Sequence, residues 1–246
     1  SLGSAAFHPV GTTQAVLRGR SLLSGRDTTS ASWFFLFGQV GYFLGPIAGG
    51  PLLQHFGPAG LMTLALPALL IGLNAAWRMG GPRSAASQPA AASGQQPSAR
   101  YGRWFIVALV ITASLQSWTQ QNMVTFVPKY LSDLGQSASF YGLSSALFMG
   151  GSAIGNVAGG TLADRYGKRR VAMVALALGS IPLALVPAAG QSAALFGLLL
   201  LAGFFTGSVY SIIVVTAQRV LPGGVGIASG LNKGFMFYSG AIGTDL

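Results

Sequence analysis

Six stretches of this chain are almost wholly apolar, and each is about as long as a bilayer is thick. They lie at roughly 33–53, 59–78, 104–127, 139–162, 171–189 and 193–216. At a rise of 1.5 Å per residue, about 20 helical residues cross a hydrocarbon core of roughly 30 Å. The pattern predicts six membrane-spanning helices. Two further apolar runs, at about 1–17 and from about 225 to 246, have the character of partial spans. Between 82 and 99 the apolar pattern gives way to Pro, Ser, Ala, Gly and Gln, a composition that predicts a flexible linker. The other connections are short, so neighbouring helices should run antiparallel. The expected fold class is an all-α polytopic membrane protein, a helix bundle with six full spans and two partial ones.

Charge gives the bundle a direction. Hydrophobic residues make up 51% of the chain and charged residues 7%, where a soluble domain carries about a quarter. Loops on one side hold Arg18, Arg20 and Arg26, then Arg78, Arg83, Arg100 and Arg103, then Arg165, Lys168, Arg169 and Arg170, and Arg219. Loops on the other side hold only Lys129, and Lys233 sits within the last apolar run. Basic residues gather on the cytoplasmic side of a membrane protein. The linker 79–103 and the loop 163–170 are therefore expected in the cytoplasm, and the chain in the cell (inner or plasma) membrane. The net charge of +10 belongs to these loops, so anionic lipid headgroups of the bilayer are the expected partner and nucleic acid is not. With no cysteine, disulfides and thiolate metal sites are excluded. Two histidines, no glutamate and no nucleotide-binding loop leave no basis for an enzyme, a cofactor, a metal site or an ATP-driven pump.

The residues with the most specific order are Gly159-Gly160-Thr161-Leu162-Ala163-Asp164-Arg165-Tyr166-Gly167-Lys168-Arg169-Arg170. This loop resembles the signature loop of the major facilitator superfamily of secondary transporters. Gly41-Tyr42-Phe43-Leu44-Gly45-Pro46-Ile47-Ala48-Gly49-Gly50 is similar to that family's fifth-helix motif, associated with proton-driven antiporters. Ser1-Leu2-Gly3-Ser4-Ala5-Ala6-Phe7-His8-Pro9, Ser117-Trp118 and Thr125-Phe126-Val127-Pro128-Lys129-Tyr130-Leu131 resemble its fosmidomycin-resistance-type branch. The resemblance implies a fragment running from the fourth helix to the eleventh. Residues 1–78 would end the N-terminal half (helices 4–6), 79–103 would link the halves, and 104–246 would carry a truncated C-terminal half. Residues 3–17 set against 207–221 share Gly3/Gly207, Ser4/Ser208, Thr12/Thr216 and Gln14/Gln218 among others, as two repeated halves would. The resemblance also implies that the loop latches the two halves in the outward-facing state, a role it carries onto Gly160, Asp164, Arg165, Gly167, Lys168 and Arg169. Read as a residue, Asp164 is a carboxylate at a helix end, able to cap a neighbouring helix or pair with a base.

Glycines at Gly41, Gly45 and Gly49, at Gly151, Gly155 and Gly159, and at Gly226, Gly230 and Gly234 each mark one helix face where another backbone can come close. The resemblance sets these faces along the contact between halves, where one half would rock on the other. Pro46 removes a backbone donor and should kink its helix. Polar residues inside spans either line a cavity or bond between helices. Gln39, Gln116, Trp118, Gln120, Asn122, Asn156 and Tyr210 are the candidates for a substrate cavity. His8 and Lys233 stand with these cavity candidates: His8 is a structural histidine bonded to a backbone carbonyl or a carrier of the coupling proton, and Lys233 holds an anion or snorkels toward headgroups. The expected function is secondary active transport by alternating access, a proton-coupled export of small molecules, drugs included. A proton-coupled importer of a small metabolite and a non-transporting membrane sensor are the alternatives.

Overall fold

The computed structural model describes residues 26–79 and 102–220, together with Gly19 and Leu22. These residues form α1 (Asp27–Leu61), a short 3-10 turn (Met62–Leu64), α2 (Ala65–Met79), α3 (Arg103–Asp133), α4 (Ala138–Tyr166), α5 (Lys168–Ala189) and α6 (Ala194–Val220). No strand occurs among them. The partial spans, most of the linker, His8, Lys233 and the third glycine stripe lie outside the described residues.

Local chemistry sets where each helix stops. The helical dihedrals of α1 break at Gly57 (φ 64°, ψ −164°), a backbone state open almost only to glycine, directly before Pro58. The break separates the first two expected spans. Pro46 sits inside α1 with helical dihedrals; the chain leaves them eleven residues later, where glycine and proline act together. After α3 the Gly135 N–H donates to the Ser132 carbonyl and the Gln136 N–H to the Leu131 carbonyl, each at 3.0 Å. With Gly135 at φ 76°, this is a glycine-terminated helix end in which orphan carbonyls are satisfied. Ser137 then caps α4 by accepting from the Phe140 N–H at 3.3 Å. One residue, Gly167 (φ 97°, ψ 132°), joins α4 to α5. The expected loop 163–170 is thus a sharp corner, and Lys168, Arg169 and Arg170 form the first turn of α5.

The helices pack inside out. Along α5 the small or slim residues Ala175, Gly179, Pro182 and Val186 are buried, whereas Met173, Val174, Leu178, Ile181 and Leu185 are exposed. Small residues between helices with large apolar ones outward is the arrangement a lipid solvent favours. The segments Asp27–Asn74, Lys168–Ala189 and Ala194–Gln218 are long and apolar enough to cross a membrane. Helices α3 and α4, of 31 and 29 residues, match that length but carry more polar side chains. Helix α4 lies between α1 and α6, and α5 packs on α6. At the end holding the α3–α4 turn, Leu131, Phe148, Met149, Val186, Leu195 and Leu199 form the main apolar core.

Candidate functional site

The corner at Gly167 is built against the start of α1. Asp164, in the last turn of α4, accepts from the Thr29 backbone N–H at 2.7 Å and from the Thr29 hydroxyl at 2.9 Å. Thr29 lies in the first turn of α1, where backbone N–H groups have no partner within the helix and the dipole favours negative charge. A carboxylate from another helix therefore caps α1. Lys168 Nζ stands 3.6 Å from the other carboxylate oxygen, and the Asp164 side chain is only 9% exposed. Gly160, one turn earlier, makes this contact sterically possible. A Cβ there would lie 2.7 Å from Ser32 Oγ and 3.0 Å from the Thr28 carbonyl. Arg165 stacks over the Tyr166 ring at 5.2 Å. Arg169 is exposed. Thr28 and Ser32 are fully buried and Asp27 nearly so. The run Asp27-Thr28-Thr29-Ser30 was the signal for this socket, since such residues cluster at helix starts; Thr29 was nonetheless absent from the candidates.

Midway along α1 and α4 lies a polar seam. Gln39 Nε2 donates to Ser152 Oγ at 3.2 Å. Asn156 Nδ2 donates to Gln39 Oε1 at 3.1 Å and to the Ser32 carbonyl at 3.3 Å. Gln120 Nε2, from α3, reaches the same Ser152 Oγ at 3.2 Å. Gln39 and Gln120 thus converge on Ser152, and Asn156 joins them through Gln39; sequence reasoning missed Ser152 because a serine within a helix commonly bonds its own backbone. Gln116 is separated from them. It donates to the Thr206 carbonyl at 2.9 Å and lines a cleft of about 210 Å³ with Thr112, Thr119, Gly179 and Thr206, between α3, α5 and α6. Tyr210 packs edge-on against Phe35 with ring centroids 4.9 Å apart, and Trp118 is partly exposed. Gln39, Gln116, Gln120 and Asn156 therefore do bond between helices. Yet the carbonyl oxygens of Gln116, Asn122 and Asn156 are buried and find no partner among the described residues, and an unmet buried acceptor costs about 1–3 kcal/mol.

The close-packed glycines are not all the expected ones. Gly151, Gly155 and Gly159 press on the backbone of α6 at Leu200, Phe204 and Ser208, and Gly203 and Gly207 return the contact at Phe148 and Ser152. That stripe glues α4 to α6 and does not face α1. The α1 contact uses Gly142, Gly150 and Gly160 on α4 with Gly50 on α1. Gly150 and Gly160 stand one residue from members of the stripe, about 100° around the helix. A Cβ on Gly41 or Gly45 would meet nothing within 4 Å among the described residues, and one on Gly49 would meet only Leu61 and Leu64. Pro46 does take part, since a Cβ on Gly142 would lie 2.7 Å from its carbonyl oxygen. No cluster of three or more His, Cys, Asp or Glu occurs among the described residues.

Comparison with known proteins agrees with a membrane bundle of this kind. The MFS-type transporter YfnC of Bacillus subtilis (strain 168) is 32% identical over 255 residues, covering 98% of this chain and 60% of that protein. The fosmidomycin resistance protein of Escherichia coli (strain K12) is 27% identical over 246 residues, covering 98% of this chain and 59% of that protein. The chain thus spans about three fifths of the length of these relatives. No solved structure matches it. The sequence profile described as Major Facilitator Superfamily matches residues 2–244. With that match across nearly the whole chain, and helices whose apolar faces point outward, the chain is an integral membrane protein that belongs to the Major Facilitator Superfamily of transporters.

Proposed function

We propose that this chain forms part of a secondary active transporter that exports small molecules in exchange for protons by alternating access. The observation that carries the reading is the cap of α1 by Asp164. Helix α1 would end the N-terminal half (1–78) and α4 would belong to the C-terminal half (104–246), so the cap would join the two halves at one end of their shared seam. The Arg and Lys residues of the Gly167 corner support a cytoplasmic position for that end, because basic residues collect there. Closure of the cytoplasmic end corresponds to an outward-facing state. Asp164, with Gly160 beneath it and Lys168 beside it, would act as the latch of that state.

Substrate would pass along the polar seam. Gln39, Gln120 and Asn156, with the unmet acceptors of Gln116, Asn122 and Asn156, offer neutral hydrogen-bonding groups to a polar or amphiphilic compound. The relative named for fosmidomycin resistance supports export of small drug-like molecules. The Gly41–Gly50 motif supports antiport with protons. The test is accumulation of fosmidomycin and a panel of dyes in cells expressing the complete reading frame, with and without a protonophore. Exclusion of at least one compound, abolished by the protonophore, is expected. Equal accumulation in expressing and control cells, with the protein correctly inserted, would refute the reading.

A further inference from the structure

We propose that Gln54 is a second conformational latch, the counterpart of Asp164 at the opposite end of the α1–α4 seam. The proposal rests on the reading above, in which α1 and α4 belong to different halves. Gln54 lies near the end of α1, and its Oε1 accepts from the Ser139 backbone N–H at 3.3 Å. Ser139 is the second residue of α4, so this N–H is one of those a helix start leaves without an internal partner. The backbones are held together at this level. A Cβ on Gly50 would lie 2.8 Å from the Ala138 carbonyl and 3.1 Å from Ser139 Cα, and Gly142 is equally tight against Pro46. The two ends are therefore built alike. The last turns of α4 present Asp164 to the start of α1, and the last turns of α1 present Gln54 to the start of α4.

The caps differ in strength, and the difference has a direction. Asp164 is charged, largely buried and makes two bonds of 2.7 and 2.9 Å. Gln54 is neutral and makes one longer, exposed bond. Charge-assisted hydrogen bonds are about twice as strong as neutral ones. The Gly167 end is thus the more firmly closed, and the Gln54 end opens first. Gln54 sets how readily, so it is a positioning residue of the transport cycle and touches no substrate.

The experiment places spin-label pairs in the full-length protein, in a background without other cysteines. Phe56→Cys with Leu134→Cys reports the Gln54 end, and Trp33→Cys with Tyr166→Cys reports the Gly167 end. Gln54→Ala is expected to raise the open population at the Gln54 end by roughly two- to fivefold. Gln54→Glu adds charge at the start of α4 and is expected to lower that population and raise opening at the Gly167 end. Opposite shifts from the two variants are something a merely structural role would not produce. If Asp164→Asn moves the Gly167-end pair while both Gln54 variants leave the other pair unchanged, or move it the same way, the Gln54 proposal is overturned and the transporter reading stands. If no variant of either residue moves either pair, the assignment of α1 and α4 to opposing halves falls with it.

Discussion

Replacing Asp164 should loosen the Gly167 end of the seam by an amount that can be worked from its contacts. The carboxylate receives two hydrogen bonds from Thr29 and stands near Lys168. Asp164→Ala leaves the Thr29 N–H without a cap, a loss of about 0.5–2 kcal/mol. Asp164→Asn keeps an acceptor and removes the charge at the helix start, worth about 0.3–1 kcal/mol and more where partly buried. Lys168, 3.6 Å from the other carboxylate oxygen and itself 26% exposed, adds to the loss in both variants. A loss of 1–2 kcal/mol multiplies the open population by roughly 5–30. Thr28 is a suitable reporter: it is fully buried in the socket, and its hydroxyl has no partner among the described residues. A thiol in Thr28→Cys should react with a membrane-permeant maleimide only when the end opens. The labelling rate should rise in the order wild type, Asp164→Asn, Asp164→Ala, with Thr29→Ala also raised. Equal rates in all four would refute the capping argument.

Three further outcomes follow from the packing. Gly142→Ala drives a Cβ against the Pro46 carbonyl, and overpacking of this kind costs about 1–3 kcal/mol; Gly197→Ala meets nothing within 4 Å and gains helix propensity of about 0.8–1 kcal/mol. Thermal unfolding in detergent should show the first variant destabilised and the second unchanged or stabilised. A double-mutant cycle of Gln39→Ala and Asn156→Ala should return a coupling of about 0.6–1.7 kcal/mol, the range of interhelical hydrogen bonds in membranes, and additive effects would contradict the Asn156–Gln39 bond. Gly167→Ala should lower stability by about 1–3 kcal/mol, because φ 97° with ψ 132° strains any residue with a Cβ, and an unchanged unfolding temperature would contradict that corner geometry.

Apolar runs of bilayer length carried most of the architecture. The expected spans correspond to helices, the second of them after a 3-10 turn, and α3 and α4 overrun their runs because their ends are fixed by glycines. Helix α3 continues to Asp133 until Gly135 stops it, and α4 continues to Tyr166 until Gly167 does. Glycine spacing was readable as a close-contact signal, but its direction was not. Gly150 and Gly151 are adjacent in sequence, and one meets Phe43 of α1 while the other meets α6. A single sequence gives the period of a face and leaves open which neighbour it meets. Gln116 and Gln120 illustrate the same limit. They share a helical face, yet one bonds α6 and the other α4. Ser152 was invisible because hydroxyls in these helices, such as Thr112, Ser144 and Thr206, mostly return to their own backbone, whereas Thr29 carried a helix-start signal that did not say which side chain would meet it. Asp164 stood out for a physical reason: a lone carboxylate among basic residues at a helix end has few things to do other than cap or pair.

The most direct test of the account is flux through the complete protein in sealed vesicles under an imposed proton gradient, using a compound that it excludes from cells. The compound should move against the proton flow, collapsing the gradient should stop it, and Asp164→Ala should slow it without abolishing insertion. Movement of compound together with protons, or flux indifferent to both the gradient and Asp164, would contradict it.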